Sequence, residues 1–116
     1  MTDRELLELA ARAAGVGYTW SEFWETMARP LNDGSGWDNR ATWNPLKDDG
    51  DALRLAVKLR LDITFYNGFQ EVAAEPSNGD GMNPSQEVFI EDPYAATRRA
   101  ITRAATEIGK SMGGGE

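Results

Sequence analysis

The chain contains neither cysteine nor histidine, which leaves packing as the means of holding a fold together. A disulfide framework is excluded, and so is a usual zinc site. With 116 residues, of which 41% are hydrophobic and 27% charged, the chain can bury an apolar core of its own. We therefore expect one domain over residues 1–112, followed by a flexible glycine-rich tail at 113–116.

The same absence restricts the chemistry open to the chain. It has no Ser-His or Cys-His nucleophile, no usual haem ligand, and no side chain whose ordinary pKa lies near neutrality. The acidic pairs Glu22 with Glu25 and Glu91 with Asp92 lack a diagnostic catalytic spacing. The Gly-Ser-Gly run at 34–36 lacks the following Lys-Ser/Thr of a phosphate-binding loop. We expect no enzymatic activity and no cofactor.

The net charge of −7 argues against duplex nucleic acid as a partner, because phosphates are bound by basic surfaces. No apolar run approaches the roughly 20 residues of a membrane span. Residues 1–5 lack the basic and apolar regions of a signal peptide. These features predict a soluble cytoplasmic protein that binds neither duplex nucleic acid nor membrane.

Capping residues predict where two helices begin in the first half of the chain. Thr2 and Glu5 have capping-box spacing ahead of a helix over 3–14, and Asp48 can cap a helix over 49–60. In both segments apolar residues recur at helical spacing.

The last helix is the clearest element. Asp92 is a good N-cap, and Pro93 suits the first helical position. The apolar stripe of this helix consists of Tyr94, Thr97, Ile101, Ala104, Ala105 and Ile108.

Strands are predicted between the second and third helices. Residues 62–66 are β-branched and aromatic, Asn67-Gly68 is a strong hairpin signal, and 69–74 form the returning strand. After a flexible loop at 76–85, residues 87–91 form a third strand. Three helices and at least three strands predict an α+β fold. We expect an α-β-α layered sandwich with a small, partly antiparallel sheet of three or four strands.

Residues 16–46 are rich in aromatic side chains and have less regular patterning. We predict a short strand near 16–20 and a short helix near 21–28, with a turn cluster at 32–36. All four tryptophans lie here. We expect Trp43 to be core, packed with Tyr18 at the edge of the sheet.

Two motifs resemble a known family. Residues 43–60 join Trp43-Asn44-Pro45 to an Asp-rich helix start, and residues 91–109 begin a helix at Asp92-Pro93. Both motifs resemble the phage ABA sandwich domain family, and their order is similar to that of NinX-like small bacteriophage proteins. The resemblance covers about a third of the chain. It implies a small layered domain encoded by bacteriophages, and it carries over no catalytic residue.

Three tryptophans are candidates for a partner-binding surface. A glycine-rich segment cannot easily bury Trp20, Trp24 and Trp37 together, and exposed tryptophan is a preferred anchor of protein interfaces. We expect them to bind a host protein or a second copy of the chain.

Four arginines are candidates for binding a phosphate. Arg54, Arg98, Arg99 and Arg103, with Lys58 and Arg60 nearby, would form a cationic strip if their two helices lie side by side. The alternative is a pair of solvated helix faces with local ion pairs.

Asp48, Asp49 and Asp51 offer oxygen ligands for a hard cation, but their spacing is not that of an EF-hand. Helix capping explains them more simply, and we expect no metal.

These observations predict a small non-catalytic binding protein of bacteriophage origin, acting in the cytoplasm of the bacterial host. Antagonism of a host defence through a protein partner is the purpose that phage origin suggests. The alternative is sequestration of a phosphate-bearing small ligand such as a nucleotide signal.

Overall fold

The computed structural model describes residues 1–31, 36–68, 70–76, 85–88 and 91–112, with the backbone alone at 37–41 and 88. The predicted tail at 113–116 and most of the predicted loop at 76–85 lie outside these ranges. The elements, in chain order, are α1 (Asp3–Ala14), β1 (Thr19–Ser21), β2 (Thr26–Pro30), β3 (Trp37–Trp43), α2 (Asp49–Leu59), β4 (Leu61–Tyr66), β5 (Glu71–Pro76), β6 (Ser85–Val88) and α3 (Pro93–Met112).

The three predicted helices and their caps are confirmed. The Thr2 hydroxyl accepts a hydrogen bond from the Glu5 backbone N–H, and the Glu5 carboxylate accepts one from the Thr2 backbone N–H. The hydrogen bond from the Thr2 backbone, followed by that from its hydroxyl, lowers the pKa of Glu5 below its ordinary value. Asp48 accepts from the backbone N–H of Asp51 at 2.8 Å, and Asp92 caps α3 in the same way. Polar side chains at these three starts satisfy backbone donors that a helix leaves unpaired.

The predicted hairpin after α2 is confirmed, with a longer connection. β4 and β5 pair antiparallel over their whole length, from Leu61 opposite Pro76 to Tyr66 opposite Glu71. Because Tyr66 pairs with Glu71, the connection is longer than the predicted Asn67-Gly68 turn, and Gln70 lies in the left-handed region at φ 53°. The returning strand is therefore β5 at Glu71–Pro76 and not 69–74 as predicted. β6 pairs antiparallel with β5 and begins two residues earlier than the strand predicted at 87–91. The result is a three-stranded antiparallel sheet, as the sequence predicted.

The predicted helix over 21–28 is wrong, because this segment forms a β-hairpin. β1 and β2 pair antiparallel, and β3 pairs with the other side of β2. The buried Ser21 hydroxyl accepts the backbone N–H of Trp24 at 3.1 Å, and Glu25 lies in the left-handed region at φ 52°. A side-chain hydrogen bond of this kind competes with helix formation, and a left-handed residue ends one. A second three-stranded sheet therefore occupies a region where the sequence predicted one short strand and a short helix.

α3 is the central element of the fold. It packs along α1, covers β5 and β6, and contacts α2, while α1 also contacts β1 and β2. The contact between α1 and α3 uses small residues of α3: Gly109 lies against the backbone of Leu9, and the Thr106 hydroxyl donates to the carbonyl oxygen of Leu6 at 2.9 Å. The helices thus approach closely, and the α+β class with helices packed on an antiparallel sheet is confirmed.

The sheet of β1, β2 and β3, which we call the hairpin sheet, joins the same core. Met27 of β2 is 1% exposed and lies in one cluster with buried residues of all three helices, and Trp43 of β3 is 6% exposed. Trp43 stacks on Tyr18 with ring centroids 6.0 Å apart, as we expected of this pair. Within the described part of the chain, no helix has the length and apolar character needed to cross a bilayer.

Candidate functional site

Arg98 of α3 is a structural clamp. Its Nε donates to the carbonyl oxygen of Leu46 at 3.0 Å, and its Nη1 donates to Oδ1 of Asp49 at 2.6 Å. Its side chain is only 18% exposed. The guanidinium therefore ties α3 to the segment that leads into α2, and two of its nitrogens donate to protein acceptors.

Replacing this clamp should cost stability. We expect Arg98→Met to lower the free energy of unfolding by about 2–3 kcal/mol, because a charged hydrogen bond is lost and the Leu46 carbonyl loses a partner. Its neighbour Arg99 is 44% exposed and lies 3.6 Å from Asp3, so Arg99→Met should cost under about 1 kcal/mol. Urea unfolding followed by circular dichroism compares the two. Equal losses would show that Arg98 has no clamping role.

Arg99 and Arg103 lie one turn apart and share a partner on β6. Arg103 pairs with the Glu87 carboxylate and also donates to the carbonyl oxygen of Gln86 at 3.4 Å. Arg99 lies 4.0 Å from the other Glu87 oxygen. These two arginines face the sheet edge formed by β6, and an acid already occupies the space between them.

Arg54 of α2 lies elsewhere. It donates to Oδ1 of Asp51 at 2.7 Å, and this hydrogen bond raises the pKa of its guanidinium above the ordinary value. Arg54 lines a cavity with Tyr18, whereas Arg98 lines a separate, largely apolar cavity with Leu53 and Phe65. The four predicted arginines are thus placed in three locations and do not form one strip.

The three predicted tryptophans do not share one environment. Trp20 is half-buried, with the Arg4 guanidinium 5.4 Å from its ring centroid. Trp24 is 46% exposed and meets Phe23 edge to face, with centroids 5.0 Å apart. The side chain of Trp37 lies outside the described residues.

Phe23 and Trp24 occupy residues 22–25, the turn between β1 and β2, which we call the aromatic turn. Phe23 is 78% exposed. The Ser21 hydroxyl accepts a hydrogen bond from the Trp24 backbone N–H, and Arg4 of α1 forms an ion pair with Glu22 at 2.7 Å. Two large aromatic rings are therefore exposed on a turn that contacts Ser21 and Arg4. The sequence indicated Trp24 but not Phe23.

A cavity of about 650 Å³ lies between the end of α1, the hairpin sheet and α2. Its walls carry an aromatic pair and three cations against a single carboxylate. The lining residues that matter for its chemistry are Gly17, Tyr18, Arg29, Trp43, Asp51, Arg54 and Lys58. Sequence reasoning included Arg54 and Lys58 in a cationic strip, but missed Arg29, because it assigned the segment just before it to a helix.

The aspartates at the start of α2 are committed to the fold. Asp48 caps the helix, Asp49 pairs with Arg98, and Asp51 accepts the backbone N–H of Asn44 at 2.9 Å. Among the described residues there is no group of three or more acidic, histidine or cysteine side chains that could hold a metal ion.

No family model, no curated protein and no solved structure matches this chain.

Proposed function

We propose that this is a non-catalytic binding protein that engages a partner protein through the aromatic turn. The observation that carries the proposal is the exposure of Phe23 and Trp24 side by side, at 78% and 46%. When a partner covers large aromatic side chains that were exposed to water, the free energy of the system falls, which favours binding. Tryptophan in particular recurs among the residues that dominate binding energy.

The supports of the turn favour binding. Because the Ser21 hydroxyl already holds the backbone of the turn at Trp24, less conformational entropy is lost on docking than from an unrestrained loop. Glu22, with a side chain 78% exposed, and Glu25 give the turn an acidic margin. The complementary surface is an apolar pocket bordered by lysine or arginine.

The resemblance of residues 43–60 and 91–109 to bacteriophage proteins supports the biological setting of this proposal. In that setting the protein is encoded by a phage and acts in the cytoplasm of the bacterial host. Its partner is a host protein, and antagonism of a host defence is the purpose we propose.

Affinity capture from a lysate of the bacterial host tests the aromatic turn. The variant is Phe23→Ser with Trp24→Ser, and the matched control is Leu53→Ser with Val57→Ser, two apolar residues of α2 that are 62% and 68% exposed. We expect the turn variant to weaken binding of the captured partner by about 30-fold or more, because two anchor side chains are lost. The control should bind as the wild type does.

Two outcomes would contradict the proposal. One is an identical set of captured proteins for the turn variant and the wild type. The other is equal loss in the α2 control, which would indicate general adhesion of apolar surface. Sedimentation of the purified chain separates a host partner from self-association, since only the latter gives a mass that rises with concentration and falls in the turn variant.

A further inference from the structure

The cavity between α1, the hairpin sheet and α2 concentrates positive charge in a protein whose net charge is −7. Arg54 and Lys58 are four residues apart on α2 and so lie on one face of that helix. Arg29 faces them from β2. Against these three cations the lining has one carboxylate, Asp51, which leaves an excess of two positive charges.

The one carboxylate does not neutralise the site for a ligand. Asp51 is 14% exposed, and its two oxygens accept hydrogen bonds from the Asn44 backbone and from Arg54. The Arg54 side chain is nevertheless 73% exposed, and its pairing with Asp51 uses only one of its nitrogens. The other nitrogens can donate to a ligand. Among the described residues, neither Arg29 nor Lys58 forms an ion pair with an acid.

Arg29 is directed by local structure. The register of β2 against β3 shifts between Ala28 and Arg29, and bulges of this kind re-aim side chains and occur next to binding sites. The Arg29 guanidinium lies 5.2 Å from the Tyr18 ring centroid and donates to the Tyr18 hydroxyl at 3.3 Å. This contact holds the cation at the cavity wall without neutralising it.

The cavity lining also contains two stacked aromatic side chains, Tyr18 and Trp43. Tyr18 is half-buried, and buried Trp43 stacks on it with an interplanar angle of 10°. Trp43 therefore covers one face of Tyr18, and the Arg29 guanidinium also lies over the Tyr18 ring, so Tyr18 and Arg29 together form one side of the cavity. An aromatic ring and a planar guanidinium beside two further cations suit a ligand that has both a phosphate and a planar ring. The cavity volume of about 650 Å³ is within the range for sites that enclose a small organic ligand.

Gly17 is the position of the cavity lining where a larger side chain can be added. Its φ lies outside the left-handed region, and a Cβ atom built there would meet nothing within 4 Å. A substitution at Gly17 therefore changes the space in the cavity without straining the folded chain.

We propose that this cavity binds a nucleotide-sized phosphate monoester. Arg54 and Lys58 hold the phosphate, whose charge of about −2 matches the cationic excess, and the planar ring lies beside the Arg29 guanidinium at the Tyr18 side of the cavity. The site shares no residue with the aromatic turn, so it is separate from the proposed partner surface. It moves the phosphate site predicted from the sequence away from Arg98, Arg99 and Arg103 and keeps only Arg54 of that set.

The test is titration calorimetry with thermal-shift measurement, using the four ribonucleoside 5′-monophosphates, inorganic phosphate and adenosine as probes. We expect at least one nucleotide to raise the melting temperature in a concentration-dependent way. Inorganic phosphate and adenosine should each bind about tenfold or more weakly than that nucleotide, since each makes half of the contacts. Lys58→Gln should weaken the nucleotide by about tenfold or more, because a charged hydrogen bond is lost.

Two further variants make the result specific. Gly17→Leu should abolish nucleotide binding while leaving the melting temperature of the free protein near that of the wild type, because the added side chain enters open space. Lys47→Gln removes an exposed lysine that does not line the cavity and should bind as the wild type does. The proposal is overturned by no response to any of the four nucleotides at about 10 mM. It is equally overturned by inorganic phosphate binding as tightly as the best nucleotide, or by unchanged affinity in Lys58→Gln.

Discussion

Replacing Gly109 with alanine should destabilise the protein by about 3 kcal/mol or more, because the added methyl group collides with the backbone of another helix. A Cβ atom at Gly109 would overlap the carbonyl oxygen of Leu9 in α1 and lie 2.8 Å from its carbonyl carbon. A backbone group cannot rotate away as a flexible side chain does. The two helices would have to separate, and the hydrogen bond from the Thr106 hydroxyl to the carbonyl oxygen of Leu6 would be lost.

The sign of this effect is the informative part. A glycine inside a helix is ordinarily about 1 kcal/mol less favourable than alanine, so helix propensity alone predicts stabilisation by Gly109→Ala. Urea unfolding followed by circular dichroism measures the difference. Gly17→Ala is the matched control, and it should change stability by less than about 1 kcal/mol because its Cβ meets open space. A neutral or stabilising Gly109→Ala would show that α1 and α3 do not cross as closely as described.

Truncating Met27 to alanine should cost about 2–5 kcal/mol, the range for emptying a buried site of this size. Met27 is 1% exposed, and it connects the hairpin sheet to the helices. We also expect the variant to unfold in a single transition when tryptophan fluorescence and far-ultraviolet circular dichroism are compared. All four tryptophans lie in or beside the hairpin sheet, while most helical signal comes from α1 and α3.

Coincident curves would mean that the hairpin sheet and the helices form one cooperative unit. Separate transitions, with fluorescence lost first, would mean that the sheet of β1, β2 and β3 is a subdomain. Met112→Ala is a control, since Met112 is 58% exposed and its truncation should change stability by under about 0.5 kcal/mol.

Local signals predicted the parts of the fold that depend on neighbouring residues. Thr2, Asp48 and Asp92 cap helices as predicted, because a capping hydrogen bond spans only three residues of sequence. The strand over 62–66 was predicted from its β-branched and aromatic residues. The hairpin sheet was missed because its register depends on burying Met27 against the helices and on a turn at Glu25 that has no glycine.

For the candidate sites too, local sequence predicted single residues but not the contacts that form only in the folded chain. Trp24 was predicted to be a surface anchor from composition alone, and the structure places it on an exposed turn. The arginine strip was predicted from spacing along two helices, but Arg98 turns inward to Leu46, a residue 52 positions away. The cavity is assembled from α1, β2, β3 and α2, and no spacing in the sequence brings Arg29 to Lys58. Such a site becomes visible only once the chain is folded.

The contact between α1 and α3 has a consequence for synthesis of the protein in the cell. The Thr106 hydroxyl donates to the carbonyl oxygen of Leu6, and Gly109 lies against Leu9, so α1 leaves the ribosome before the helix that is its main partner. Until α3 is available, the alanine face of α1 stays uncovered, and nascent chains are candidates for chaperone capture. Native packing of α1 therefore waits for the synthesis of α3, and a translational pause before α3 would prolong exposure of α1 to proteases.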